Sequence, residues 1–417
     1  MTSTTETSET ALLAASARRG WIVVAAAFVV MFCGLGGLYA FPAFFNALQQ
    51  DFSASRAALS WVFSGAVALY FAIGVVSGPL TDRLGARPVV LGGIALVGFS
   101  LMFAGMATSI AMVALAIGLG VGLGIGFSYV PAVSAVQRWF LVRRGFASGI
   151  AVSGIGLGTL IMPKVAEYLV TNVGWRGAYT ILGLFVVLAG GAAALFVDNA
   201  PEKRGMAPDG KLLHGPLPSR HELPGMSLGE TVRSSQFRIF YLASVLASVG
   251  LFIPFVHLTP SAQDRGVDPS TAVTLFALIG IGSTAGRFLI GGVADRMGRR
   301  RSLALMFLGL GLMMGWWIFA SSAIGLAVFA LVFGLCYGGY VALAPALLVD
   351  VFGPRNASGV IGVSYTAAAL GSLLGPPLAG YAFDLTQSYT VPIAIAGVLG
   401  LLSALLVSLM PEPHPAA

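Results

Sequence analysis

Arg287 lies inside the apolar run 270–293, where little water is at hand to solvate a guanidinium. An arginine in such a run costs roughly 3 kcal/mol or more if lipid surrounds it, and by default it marks a function. Its planar fork presents paired donors that match a carboxylate. The plainer reading is snorkelling, since Asp295 follows two turns later and the head group could reach it or an interface. Ser283 precedes Arg287 by four residues and shares its helix face. Its hydroxyl could bond a ligand, Arg287 or its own backbone. Tyr39, Tyr129, Tyr337, Tyr340 and Tyr365 also fall within apolar runs. A buried phenol needs a partner and can donate to a carboxylate without adding charge; plain packing or an interfacial position is the alternative for each. His257, between Pro254 and Pro260, could sense or pass a proton, or be a solvated end residue. Asp264 belongs to the same outer region or is a loop charge.

Other chemistry is not written in the chain. Lys164 and Glu167 stand at i,i+3 and are expected to pair with each other. The glycines at 118, 120, 122, 124 and 126 lack the Gly-Lys-Ser/Thr end and the preceding strand of a phosphate loop. They predict close helix packing instead. No metal-ligand cluster, nucleophile–base pair or cofactor motif is evident, so the chain reads as a non-enzyme without cofactors. Cys33 and Cys336 sit in apolar runs and read as small packing residues.

The elements that hold these residues must live in lipid. Of the 417 residues 57% are hydrophobic and 9% charged, against roughly 25% charged in a soluble domain. Runs near the 20 or so apolar residues that cross a bilayer occur at about 21–45, 59–80, 88–107, 110–136, 146–170, 177–197, 239–260, 270–293, 302–321, 323–348, 357–383 and 390–411. The sequence thus predicts an all-α membrane protein of twelve transmembrane helices. Residues 1–19 read as a disordered tail, 20–197 as a first six-helix half, and 198–238, with five prolines among scattered charges, as a connecting loop. Residues 239–411 form the second half and 412–417 a short tail.

Basic residues set the orientation. Of the 23 Lys and Arg, only Arg56, Lys164, Arg176 and Arg265 fall on one side and Arg287 within a segment; the rest share the side of the termini. That side is therefore cytoplasmic, in the inner (plasma) membrane. The bias accounts for the net charge of +7 without nucleic acid. Reporter fusions at Asp209 and at the C-terminus should both report a cytoplasmic location; an external result at either would overturn the helix count.

The halves repeat. Gly78, Asp82, Arg83, Gly85 and Arg87 after the second segment recur with identical spacing as Gly291, Asp295, Arg296, Gly298 and Arg300 after the eighth. Ala147-Ser148-Gly149 is echoed by Ala357-Ser358-Gly359. Two parallel six-helix repeats are a transporter architecture, with the substrate site between halves.

These paired loops resemble those of the major facilitator superfamily, and the resemblance covers residues 20 to 411. It implies that the loops are cytoplasmic gating latches, in which Asp and Arg pair with each other and with helix ends; the alternative is that their arginines are topology signals only. A finer resemblance is to the monocarboxylate transporter family and the neighbouring oxalate/formate antiporters. It rests on Trp139-Phe140-x-x-Arg143-Arg144-x-x-Ala147-x-Gly149-x-Ala151-x-x-Gly154-x-x-x-Gly158, on Tyr39-Ala-Phe-Pro-Ala-Phe44-Phe45, on Ser60-Trp61, and on His257-Leu-Thr-Pro260 with Asp264-x-Gly266. The resemblance places Arg287 at the family's substrate-binding arginine and the tyrosines on cavity-lining helices. It gives His257 and Asp264 a role in proton coupling or an outer gate. It implies a monomeric carrier of lactate- or pyruvate-like acids with protons, working by alternating access. Rivals are an exchanger of other small organic anions, a drug or metabolite exporter, and a sensor without flux. Three departures stand out. Ser283 replaces the aspartate of animal members, Tyr39 their lysine, and the eleventh segment lacks the second cation of oxalate antiporters.

Overall fold

The computed structural model describes residues 2–140, 144–198, 225–353 and 355–411. Most of the connecting loop and the tail 412–417 lie outside these, as do the side chains of Asp82 and Asp295. Among the described residues, all regular structure is helical.

The first half runs through α1 (Thr2–Tyr39), α2 (Phe41–Phe52), α3 (Arg56–Leu84) and α4 (Ala86–Gly105). It continues through α5 (Ile110–Val113), a π-helical stretch Ala114–Val121, α6 (Gly122–Trp139), α7 (Arg144–Phe185), a second π-helical stretch Val186–Gly190 and α8 (Gly191–Ala194). After a short α9 (Leu228–Arg233), the second half contains α10 (Ser235–Leu251), α11 (Ile253–Asp264) and α12 (Pro269–Met297). It ends with α13 (Arg299–Phe319), α14 (Ala323–Phe352), α15 (Ala357–Thr386) and α16 (Thr390–Ser408).

Among the described residues, eleven helical stretches are long and apolar enough to cross a membrane. One of them, Phe146–Ala194, has 49 residues, about 70 Å at the α-helical rise, more than twice a hydrocarbon core of about 30 Å. It is two spans joined at Gly174, whose φ of 73° and ψ of 164° are not helical. The total is twelve. The polar start of the chain, expected to be a disordered tail, is helical from Thr2 and continuous with the first span. Extending an existing helix adds one hydrogen bond per residue fixed and needs no new nucleus.

The first and seventh spans each break two residues before a proline, at Ala40 ahead of Pro42 and at Phe252 ahead of Pro254. A proline ring cannot donate to the preceding turn and clashes with it. This is a further element of the repeat.

The halves pack as exchanged pairs: α3 runs along α15, and α7 along α12. Within the second half α12 and α14 approach most closely. A Cβ on Gly338 would lie 2.0 Å from the Ser283 carbonyl oxygen, and one on Gly286 2.1 Å from that of Leu335. In the fourth span the glycine run serves two neighbours. Gly122 and Gly126 meet Ala66 and Ile73 of α3, and Gly120 and Gly124 meet Ser100 and Gly93 of α4. Small residues at these crossings let backbones touch where lipid offers no hydrophobic driving force.

The repeated loops are shorter than the sequence predicts. Gly78 and Gly291 are helical, within α3 and α12. Only Gly85 (φ 88°) and Gly298 (φ 87°) leave the helix, each in a region open to glycine at no steric cost. Their N–H groups donate to Thr81 and Ala294 carbonyls. Arg83 and Arg296 fall in the last turns of α3 and α12, where a cation complements the helix dipole, and Arg87 is exposed. Arg300 donates to the Met410 carbonyl after α16.

Candidate functional site

Between the halves lies a narrow cavity of about 50 Å³, room for about four waters. Its walls come from both halves: Tyr39 on α1, Tyr70 and Phe71 on α3, Tyr129 on α6, Ile155 on α7, Phe240 on α10, Arg287 on α12, Tyr337 and Tyr340 on α14, and Tyr365 on α15. The structure thus brings Arg287 and all five sequence-selected tyrosines to one place. Tyr70 joins them. It carried the same signal, a phenol within an apolar run, and sequence reasoning passed over it.

Each side chain is held by its helix. The glycine contacts between α12 and α14 fix the rotation of α12, and with it the direction of Arg287. The break at Ala40 ends α1 just after Tyr39. Tyr39 and Tyr337 both pack on Phe255, with ring centroids 5.1 and 5.3 Å apart. Phe71 packs on Tyr365 at 5.4 Å.

Arg287 Nη1 donates to the Val152 carbonyl of α7, across the halves, at 3.1 Å. Its Nε is buried with no partner, and it forms no ion pair with any described carboxylate. A guanidinium has five N–H donors, so most of its capacity is unused. Among the described residues that line the cavity, Arg287 is the one cation, set among phenols.

Ser283 is not part of this wall. It is 3% exposed, its Oγ bonds nothing, and its backbone lies against Gly338. A spacing of four residues turns a helix by about 40° beyond a full circle, enough to move Ser283 from the cavity to the α12–α14 seam.

His257 and Asp264 belong to a second cluster, toward the end of the bundle opposite the repeated loops, the outer end in the orientation set by the basic residues. His257 is fully buried. Its Nε2 lies 2.9 Å from the Pro376 carbonyl of α15 and 3.0 Å from Ser60 Oγ of α3. Its Nδ1 lies 3.0 Å from the Tyr389 hydroxyl. That hydroxyl receives Arg56 Nη1 at 2.7 Å, and Arg56 holds Asp264 with two bonds of 2.6 and 2.7 Å. Arg56 also stacks on Phe383, 3.9 Å from the ring centre. Asp384 of α15 caps α3 across the halves, accepting the N–H groups of Arg56 and Ala57 at 3.1 and 3.0 Å. Asn46 donates to Gln263 nearby. These bonds tie the two halves together at that end of the bundle.

Arg56, Asp384 and Tyr389 were not selected from sequence. The available signal was scarcity: on a face with few charges, each charge needs a partner. The other three outer cations are also engaged. Lys164 pairs with Glu167 at 2.6 Å and donates to Ser270 Oγ of α12 at 2.9 Å, Arg176 pairs with Asp51 at 2.9 Å, and Arg265 donates to the Trp317 and Ala320 carbonyls.

Comparison with known proteins agrees with this architecture. The sequence matches the family model described as Major Facilitator Superfamily over residues 26–261 and 239–417. It is 30% identical to human (Homo sapiens) monocarboxylate transporter 11 over 95% of this chain and 84% of that one. It is 29% identical to monocarboxylate transporter 2 of Mesocricetus auratus, over 93% and 82% respectively. A crystal structure of a mutant of the peptide transporter POT in complex with alafosfalin superposes with a TM-score of 0.73 at 15% identity, over 92% and 93% of the two chains; that likeness concerns the fold. With twelve spans in two repeated halves around a central chamber, the chain belongs to the major facilitator superfamily, as a multi-pass membrane transporter related to the monocarboxylate transporters.

Proposed function

We propose that the chain carries small monocarboxylates of the lactate or pyruvate kind by alternating access, with the carboxylate seated on Arg287. The observation that carries this reading is the buried, unpartnered Nε of a cation that faces the central cavity and has no acidic partner among the described residues. Closing the halves strips water from a carboxylate, and a fixed fork of donors offsets that loss. The surrounding phenols add neutral donors and acceptors that orient the rest of the substrate. One cation in the chamber favours a monoanion over a dicarboxylate, which would leave its second charge unpaired. The narrow aromatic walls favour a short acid over a bulky drug. Proton symport is the coupling we favour.

Purified protein in liposomes, offered a panel of labelled acids, tests the reading. Short monocarboxylates should enter saturably, dicarboxylates should not compete, and an inward proton gradient should speed entry. Flux that ignores pH but responds to internal anion would make the protein an exchanger. Indifference to every acid would remove the proposal.

A further inference from the structure

The repeat reaches further than its loops, and with it comes a difference between the halves. The offset that carries Gly85 onto Gly298 also carries Asp51 onto Asp264, Ala107 onto Ala320, and the positive-φ residues Ser53 and Gly174 onto Gly266 and Gln387. In the first half the space between these points is occupied. Phe52 and Trp175 pack together with ring centroids 5.6 Å apart, and Trp175 donates to Asp51 at 3.2 Å. Arg176 lies 4.1 Å over the Trp175 ring and donates to the Ala107 carbonyl at 3.2 Å. In the second half the two aromatic positions hold Arg265 and Ser388. Both line a cavity of about 370 Å³ at the end of the bundle opposite the repeated loops.

We infer that this cavity is a second anion site, which takes a small carboxylate on Arg265, apart from the chamber of Arg287.

The lining is rich in unused donors. Arg265 donates from Nη1 to the Trp317 and Ala320 carbonyls and forms no ion pair with a described carboxylate, so its Nε and Nη2 have no protein partner among the described residues. A guanidinium edge of this kind matches a carboxylate with two parallel bonds. Ser261 lines the cavity and is 2% exposed, yet its hydroxyl has no hydrogen bond among the described residues. A buried hydroxyl left unpaired costs free energy that a ligand there recovers. The start of α16 adds backbone donors. Its N-cap, Tyr389, makes no side-chain cap, and Thr390 and Ile393 of its first turn line the cavity. Orphan N–H groups and the positive end of a helix dipole favour an anion. Ser388 Oγ donates to Thr390 Oγ1 at 3.1 Å, which leaves the Thr390 hydrogen for a ligand.

One carboxylate lines the same space. Asp264 has both oxygens held by Arg56, at 2.6 and 2.7 Å, so its charge is offset and that of Arg265 is not. The opposite wall is apolar: Phe383 and Tyr389 stack at 4.5 Å, beside Ile318 and Ile393. A carboxylate with a short carbon chain meets both the donors and this wall, whereas inorganic phosphate meets the donors alone.

The site needs nothing from Arg287, so the two are tested apart. Ser321 lines the cavity and is exposed. Ser321→Cys, in a background of Cys33→Ala and Cys336→Ala, reports on the cavity when the purified protein reacts with charged methanethiosulfonates. The anionic reagent should gain about threefold or more over the cationic one, compared with Ile324→Cys, which lies outside the cavity. Lactate should slow the anionic reagent, with half-protection near about 1–10 mM, and should do so equally after Arg287→Ala. Arg265→Gln keeps a donor for the two carbonyls and should weaken protection at least about tenfold; Arg265→Lys should weaken it less. Thr390→Val leaves those carbonyls untouched and should also weaken protection. No protection by lactate in the parent, protection that survives both Arg265→Gln and Thr390→Val, or protection lost with Arg287→Ala overturns the inference. Protection by inorganic phosphate without protection by lactate would make this a phosphate site and overturn the carboxylate assignment.

Discussion

Arg287→Ala should nearly abolish uptake of monocarboxylates by the reconstituted protein, and Arg287→Lys should restore only a fraction. The alanine variant loses every donor that a carboxylate could meet on this side chain. Hydrogen bonds to charged groups contribute roughly 1.5–3 kcal/mol each, so losing one or two weakens binding by at least about tenfold. Lysine keeps the charge and loses the fork. Folding should survive, because the side chain's tie to the described scaffold is its bond to the Val152 carbonyl. Substrate-induced thermal stabilisation, measured beside flux, separates lost binding from lost movement. An Arg287→Ala protein that binds and moves the acid as the parent does would reduce Arg287 to a membrane-snorkelling residue.

Gly338→Ala should be the most damaging small substitution in the scaffold. The added Cβ would run into the backbone of Ser283, at 2.0, 2.7 and 2.8 Å from its oxygen, carbonyl carbon and Cα. No side chain can rotate to make room, so α12 and α14 must separate. Overpacking typically costs about 1–3 kcal/mol and occasionally more, and a backbone clash this close belongs at the upper end. A lower melting temperature in detergent and a loss of transport are expected together, since the same seam aims Arg287. Gly92→Ala is the control: nothing lies within 4 Å of the new methyl, and alanine favours a helix by about 1 kcal/mol. Equal melting of the two variants would refute the packing argument.

The spans were legible because composition alone fixes what lipid tolerates, and the Gly174 turn falls between two runs already separated by sequence. Helix breaks were less legible. Hydropathy reads 21–45 as one segment, whereas Pro42 removes a backbone donor and divides it at Ala40. The chamber was legible through residue type, since a charge and phenols inside apolar runs are unusual enough to single out. Ser283 was misplaced because a spacing of four gives a shared face only to within about 40° of rotation. The cluster around His257 was legible only in part: His257 and Asp264 were singled out, whereas Arg56, Asp384 and Tyr389 were not. Arg56 and Tyr389 are 333 positions apart, and each alone looks like an ordinary segment end. Only the tertiary arrangement turns such scattered ends into one closure.

The Gly174 junction has a consequence for how the protein enters its membrane. With no loop between the fifth and sixth spans beyond a single non-helical residue, there is nothing to thread across separately. Asn172, Trp175 and Arg176 form the polar tip of a continuous apolar hairpin, and a lone fifth span would end with that tip unsupported. A turn this tight leaves no soluble loop to translocate alone, so the two spans are expected to enter as one hairpin. Asp51 at the end of α2 then meets Arg176, so the earliest span to insert supplies the counter-charge that receives the hairpin.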